Sequence, residues 1–171
     1  AIVVLDLASG TETARLPHLN ALHGFAWHPQ GQHLVSAEHS QSSILIWSLE
    51  TRTVPRRFEE RKSSPVSLAF NPDGSLLAAG GWDGTVRLWE WATGQQVLTA
   101  SGGGFVHFSP DGQKLGVASW SRDALWHFAV AQGNELRTIH EARPASEGGE
   151  RLAFSRDGSV LAYTIGQQVK L

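Results

Sequence analysis

The sequence contains no cysteine and no methionine, has one tyrosine, and carries charge on only 18% of its residues. Without cysteine, disulfide frameworks and thiolate metal sites are excluded, and the redox compartment is left undetermined. Lysine and arginine number 14 against 16 aspartates and glutamates. A net charge of −2 offers no basic excess for nucleic-acid phosphates, so no nucleic acid is expected as a partner. No run of 18 apolar residues occurs, so no membrane-spanning helix is expected. Helical periodicity of useful length is missing too. The chain opens on Ala1-Ile2-Val3-Val4, an apolar run with neither methionine nor leader, and is expected to be part of something longer. What remains is 171 residues, 41% of them hydrophobic, enough for one core.

A repeat runs through the chain. Phe25-Ala-Trp-His-Pro-Gln-Gly31, Leu68-Ala-Phe-Asn-Pro-Asp-Gly74, Val106-His-Phe-Ser-Pro-Asp-Gly112 and Leu152-Ala-Phe-Ser-Arg-Asp-Gly158 align. Their closing glycines are 43, 38 and 46 residues apart. That period suits one propeller blade of four short strands. In each copy an aromatic residue (Trp27, Phe70, Phe108, Phe154) ends a strand and is expected to point inward. A tight turn follows, in which Asp bonds its own backbone and Gly takes a positive φ. A second strand rich in small residues comes next, then a third (Ile44–Trp47, Val86–Trp89, Ala124–Phe128), with His127 expected at the register of Trp89. A weaker outer strand closes the unit, as at Gln95–Thr99. Ile2–Leu7 and Thr11–Leu16 read as the third and outer strands of a preceding copy. The expected division is one segment over 1–171: outer strands at 1–16, blades at 17–58, 59–99 and 100–139, and an incomplete blade at 140–171. Both chain ends are apolar, so further blades, from a longer polypeptide or a second copy, are expected to cover them.

Gly80-Gly-Trp-Asp-Gly-Thr-Val-Arg-Leu-Trp-Glu90, preceded by Phe70-Asn-Pro-Asp-Gly74, resembles a WD40 repeat. The closing tryptophans Trp47 and Trp89 favour this family over other propellers that share the Pro-Asp-Gly turn. The resemblance implies an all-β fold, a portion of a WD40-like β-propeller with about four blades of four-stranded antiparallel sheet. It further implies a structural set in each blade: a His before the first strand, a Ser or Thr, an Asp before the third strand, and the closing Trp, joined by hydrogen bonds. Here His18 and Trp47 match in the first full blade, and Asp83 and Trp89 in the second; no blade shows the whole set. Gln41 or Ser42, Lys62 and Ser121 stand where set members are expected, which marks a divergent, bacterial-type member. The resemblance leans towards a cytoplasmic location.

Chemistry is sparse. Histidines 18, 23, 28 and 33 are evenly spaced, but odd spacing along a strand alternates faces, so they do not converge on a metal; beyond His18 they read as surface residues. No nucleophile-elbow Gly-x-Ser-x-Gly occurs. Ser101-Gly-Gly-Gly104 lacks the lysine of a phosphate-binding loop and reads as a flexible inter-blade loop. The run Arg56, Arg57, Glu59, Glu60, Arg61, Lys62 is of mixed sign and reads as a solvated loop. No catalytic residue, cofactor or metal is therefore expected. Function in such folds resides on loops. The turn between second and third strands places His39, Trp82, Trp120 and Gly166 at equivalent positions eight residues after each glycine, with Arg122 close by. Two readings of the tryptophans stay open: interface anchors on a rim, or rings packed flat on the next blade. The expected function is a non-catalytic scaffold that binds a protein or peptide on its rim, with no membrane partner. The alternatives are a regulatory or sensing module fused to an enzyme such as a bacterial Ser/Thr protein kinase, and an enzyme with a pocket in the propeller.

Overall fold

A computed structural model describes residues 1–18, 21–38, 43–59, 64–119, 125–130, 136–142, 152–165 and 168–170. These form strands and turns, with no helix among the described residues. The first sheet pairs β1 (Ile2–Leu5) with β2 (Glu12–Leu16). The second is β3 (Leu22–Trp27), β4 (His33–Glu38), β5 (Ser43–Ser48) and β6 (Thr53–Glu59), in that spatial order. The third is β7 (Pro65–Phe70), β8 (Leu76–Gly81), β9 (Thr85–Glu90) and β10 (Gln96–Ser101). The fourth is β11 (Gly104–Phe108), β12 (Lys114–Ser119), β13 (Leu125–Val130) and β14 (Leu136–Ala142). Three strands, β15 (Leu152–Phe154), β16 (Leu161–Ile165) and β17 (Gln168–Lys170), make the last sheet. All pairings are antiparallel between chain neighbours, and the first strands β3, β7, β11 and β15 pack side by side. This is a portion of a β-propeller, all-β as its repeats imply.

The repeated turns show why the sequence folds this way. Gly31, Gly74, Gly112 and Gly158 all hold φ between 68° and 77°, a region costly for residues with a Cβ. Asp73 Oδ1 accepts the Ser75 amide at 2.7 Å, and Asn71 Oδ1 accepts that of Leu76 at 2.8 Å. Asp111 and Ser109, and Asp157 and Ser155, repeat the arrangement. Each turn thus satisfies its own backbone amides and launches the second strand. In the first full blade Gln30 stands where Asp is found elsewhere, and His28 makes a different set of bonds: its Nδ1 accepts the Gln30 amide at 3.2 Å, and its Nε2 meets the Gly74 carbonyl oxygen at 3.1 Å.

Between sheets, apolar faces interlock. Val35, Ala37, Ile44, Ile46 and Phe58 of the second sheet pack on Leu68, Leu77, Ala79 and Trp89 of the third. Leu76, Ala78, Val86 and Leu88 in turn pack on Val106, Phe108, Leu115, Val117 and Phe128. Ile2 and Leu16 of the first sheet cover Leu34, Leu45 and Trp47.

Several expectations are corrected. The register pairs Leu34 with Trp47, Leu77 with Trp89 and Leu115 with Phe128, so Phe128, not His127, takes the tryptophan's place in the fourth sheet. One more residue connects Ala118 to Leu125 than connects Gly80 to Val86, which displaces the strand by one position. Trp27 does not point into a core but is 45% exposed. Gly102, Gly103 and Gly104 are buried, not a free loop: a Cβ on Gly80 would stand 2.0 Å from the Gly104 carbonyl oxygen, and one on Gly103 2.3 Å from that of Gly81. Glycine is used there for close backbone approach between blades. His28 is 2% exposed rather than superficial, and its ring stacks on Trp91 at 4.8 Å. Arg56, Arg57 and Glu59 lie in β6; the Arg56 guanidinium covers the Phe58 ring at 4.8 Å and donates to the Trp91 carbonyl oxygen at 2.7 Å. Glu60, Arg61 and Lys62 lie outside the described residues.

Candidate functional site

Two ends of the blades could carry function. At one end the turns after β3, β7 and β11 surround a cavity of about 470 Å³, lined among others by Trp27, Pro29, Phe70, Pro72, Phe108 and Pro110. It is largely apolar, and its side-chain amide Asn71 is committed to the Ser75 hydroxyl at 3.0 Å and the Leu76 amide. Among the described residues no three metal-ligating side chains converge.

At the other end lies the turn between β8 and β9. Its tryptophan, Trp82, is 41% exposed, whereas Trp47 and Trp89 are 4% and 2% exposed. Trp82 is anchored at its backbone and at its ring. Its amide donates to the Ser64 carbonyl oxygen at 3.3 Å, and its ring meets His23 of β3 edge to face at 5.7 Å. Asp83 follows. Its Oδ1 accepts the Thr85 hydroxyl at 2.8 Å and the Thr85 amide at 3.2 Å, and Arg87 closes an ion pair on its carboxylate. Burial pushes the Asp83 carboxyl up, but the hydrogen bonds from Arg87 and Thr85 and the Arg87 charge outweigh it and hold it below its ordinary value. The buried glycines brace the turn from behind, with the Gly102 amide donating to the Gly84 carbonyl oxygen at 2.9 Å. Among the described residues, the outcome is a braced turn with the part-exposed Trp82 ring at the surface and a charge pair beside it.

The other residues singled out from the sequence divide clearly. His18, Trp47 and Ser36 come together: Trp47 Nε1 donates to Ser36 Oγ at 2.9 Å, and that hydroxyl meets His18 Nε2 at 3.3 Å. The His18 ring also stands edge-on to Trp47 at 5.0 Å. This is a structural set that ties the segment before β3 to β4 and β5. Trp89 stacks on Phe58 across the sheet boundary at 6.1 Å and belongs to the core. His39, Trp120 and Arg122 lie outside the described residues. His23 and Arg87 were not foreseen. Arg87 had a legible signal, since it follows Asp83 in an alternating strand; His23 had none, because its partner lies in the next blade.

Comparison with known proteins agrees with this architecture. The family described as "WD domain, G-beta repeat" matches at residues 10–48 and 53–90. The chain is 36% identical over 138 residues to a periodic tryptophan protein 2 homolog of Mus musculus, across 77% of this chain and 15% of that protein. It is 30% identical over 154 residues to the small ribosomal subunit protein RACK1y of Oryza sativa subsp. japonica, across 83% of this chain and 44% of the relative. WD repeat-containing protein 90 of Xenopus tropicalis is 29% identical over 94% of this chain, which covers 9% of that protein. The chain therefore spans less than half the length of these relatives. With its repeat period, its turn chemistry, its sheets and these matches, the chain belongs to the WD40 repeat family.

Proposed function

We propose that the chain is a non-catalytic platform that binds a protein or peptide on the rim carrying Trp82. One observation supports this above the others: the Trp82 ring is left in solvent by a turn that is rigidly held, while Trp47 and Trp89 are buried in the same chain. Exposed tryptophan on a fixed support loses little conformational entropy on binding and is enriched among residues that dominate interface energies. Asp83 and Arg87 set the polar edge of the site; His39 and Trp120 stand at the same repeat position as Trp82 in the sequence, with Arg122 two residues after Trp120. A peptide partner lays an apolar side chain on the indole and a polar group beside the ion pair.

The test is selection of binders from a displayed random-peptide library on the immobilised chain, followed by titration against Trp82→Ala. The expected result is a loss of affinity of about tenfold or more, since a hot-spot truncation costs about 2 kcal/mol or more and about 1.4 kcal/mol is tenfold. Peptides that bind the variant equally well, or no enrichment at all, would overturn the reading.

A further inference from the structure

The outermost strands of the sheets are not alike. β2 carries Glu12 and Arg15, β6 carries Pro55, Arg56, Arg57 and Glu59, and β14 carries Arg137, His140 and Glu141. Charge and proline on an edge strand discourage pairing with another chain. β10, Gln96-Val-Leu-Thr-Ala-Ser101, has neither. It is the outer strand of the third sheet, whose faces pack on the second sheet and on the fourth. Among the described residues β10 pairs with β9 alone.

The register shows which main-chain groups this edge presents. Residues opposite one another in an antiparallel ladder alternate between pairs that exchange hydrogen bonds and pairs that do not. Ser101 stands opposite Thr85, and the Gly102 amide donates to the Gly84 carbonyl oxygen at 2.9 Å. A bond between the residues that flank a pair marks Ser101 and Thr85 as exchanging none. Thr99 and Arg87, two residues along, are the next such pair. The N–H and C=O groups of Thr99 and Ser101 therefore point away from β9, towards the open edge. Both residues are exposed, whereas Leu98 and Ala100 are half-buried against the cluster shared with the fourth sheet.

We propose that two copies of this chain pair edge to edge through β10. The two outward peptide positions lie symmetrically about Ala100. A second copy related by a two-fold axis beside Ala100 places its Ser101 opposite Thr99 and its Thr99 opposite Ser101, and each pair exchanges two N–H···O=C bonds. Ala100 meets its own copy at the axis, where opposed Cα atoms approach to about 4.5 Å and a methyl group fits. Self-pairing suits β10 because no charge meets its like across the axis. The same contact through β6 would set Arg56 and Arg57 against their own copies. The four strands of the third sheet then run on into the four of the second copy. Pairing at β10 is independent of what binds at Trp82.

Light scattering on the purified chain across a concentration series, run alongside amide hydrogen exchange, tests the pairing. A single strand edge buries little surface and pairs weakly, so the series extends to about 1 mM, which populates pairs with a Kd in that range. The mass is expected to rise from one chain towards two, and exchange at the Thr99 and Ser101 amides is expected to slow in step with it. Two double variants, Thr99→Lys with Ser101→Lys and Thr99→Glu with Ser101→Glu, alter only exposed side chains. Each is expected to keep the wild-type melt and to pair about tenfold or more weakly, because like charges stand opposite at both positions. Mixed in equal amounts they are expected to pair again, since lysine then opposes glutamate. Wild-type chain that stays monomeric throughout the series overturns the proposal. A doubled mass without slowed exchange at Thr99 and Ser101 assigns the contact to another surface and overturns it too. So does a double-lysine variant that pairs as wild type does, or a mixture that stays monomeric while wild type pairs.

Discussion

Replacing Trp89 with alanine removes the largest fully buried side chain of the joint between the second and third sheets. The ring stacks on Phe58 at 6.1 Å with planes 13° apart, and shares its cluster with Val35, Ile44, Ile46, Leu68 and Leu77. A buried aromatic removes about 200 Å² from water. At about 25 cal/mol per Å² that is about 5 kcal/mol of transfer free energy. Alanine keeps a small part, and the cavity walls relax in part, so the expected loss is about 3–5 kcal/mol. Because a domain's whole stability is about 5–15 kcal/mol, the midpoint of a urea melt should fall sharply at unchanged slope. The same substitution at Phe128 should cost a comparable amount, since Phe128 holds the equivalent register and is 3% exposed. His127→Ala, opposite Gly116 on the other face, should cost clearly less. Melts at one fixed protein concentration, followed by tryptophan fluorescence and circular dichroism, give all three values. If Trp89→Ala costs under about 1 kcal/mol, below the range for emptied aromatic sites, the inter-sheet cluster does not hold the blades together. If His127→Ala costs more than Phe128→Ala, the register of the fourth sheet is wrong.

Two further outcomes are expected. Gly80→Ala places a Cβ 2.0 Å from a backbone oxygen of Gly104, and because neither backbone can yield cheaply it should destabilise by about 3 kcal/mol, the upper end for overpacking; a thermal midpoint within a degree or so of wild type would show that the glycine contact is dispensable. Asp157 should titrate at about 2 in a carbon-detected magnetic-resonance pH series, because the Ser155 hydroxyl, then the Ser159 amide, donate to its carboxylate. A lowered folded value means that this turn adds stability above the ordinary carboxyl range and loses it as pH falls from about 4 towards 2. Ser155→Ala should move the midpoint upward, and an unchanged midpoint would refute the cause.

The sequence by itself determined the repeat and its blade logic. The signal is local: Pro-Asp-Gly74 and Pro-Asp-Gly112 set their turns through bonds that span a few residues, Val86-Arg87-Leu88 alternates buried with half-buried positions, and the unbroken apolar run Ile44–Trp47 is buried on both faces. The family followed from the same short motifs. The tertiary structure decided whatever depends on the neighbouring blade. Trp27 and Phe108 occupy equivalent positions, yet one is exposed and one buried, because only Phe108 has inner strands packed over it. Ser101-Gly-Gly-Gly104 looks flexible in isolation, and is rigid because Gly80, Gly81 and Gly84 bring a second backbone against it. His28 is buried because the Gly74 carbonyl oxygen of the following turn accepts its ring, a pairing 46 residues distant in the chain. In the same way Trp82 could be numbered from the sequence, but its exposure and its support by His23 arise only when two sheets meet. Turn geometry is encoded within a few residues, whereas burial depends on which sheet lies across the gap.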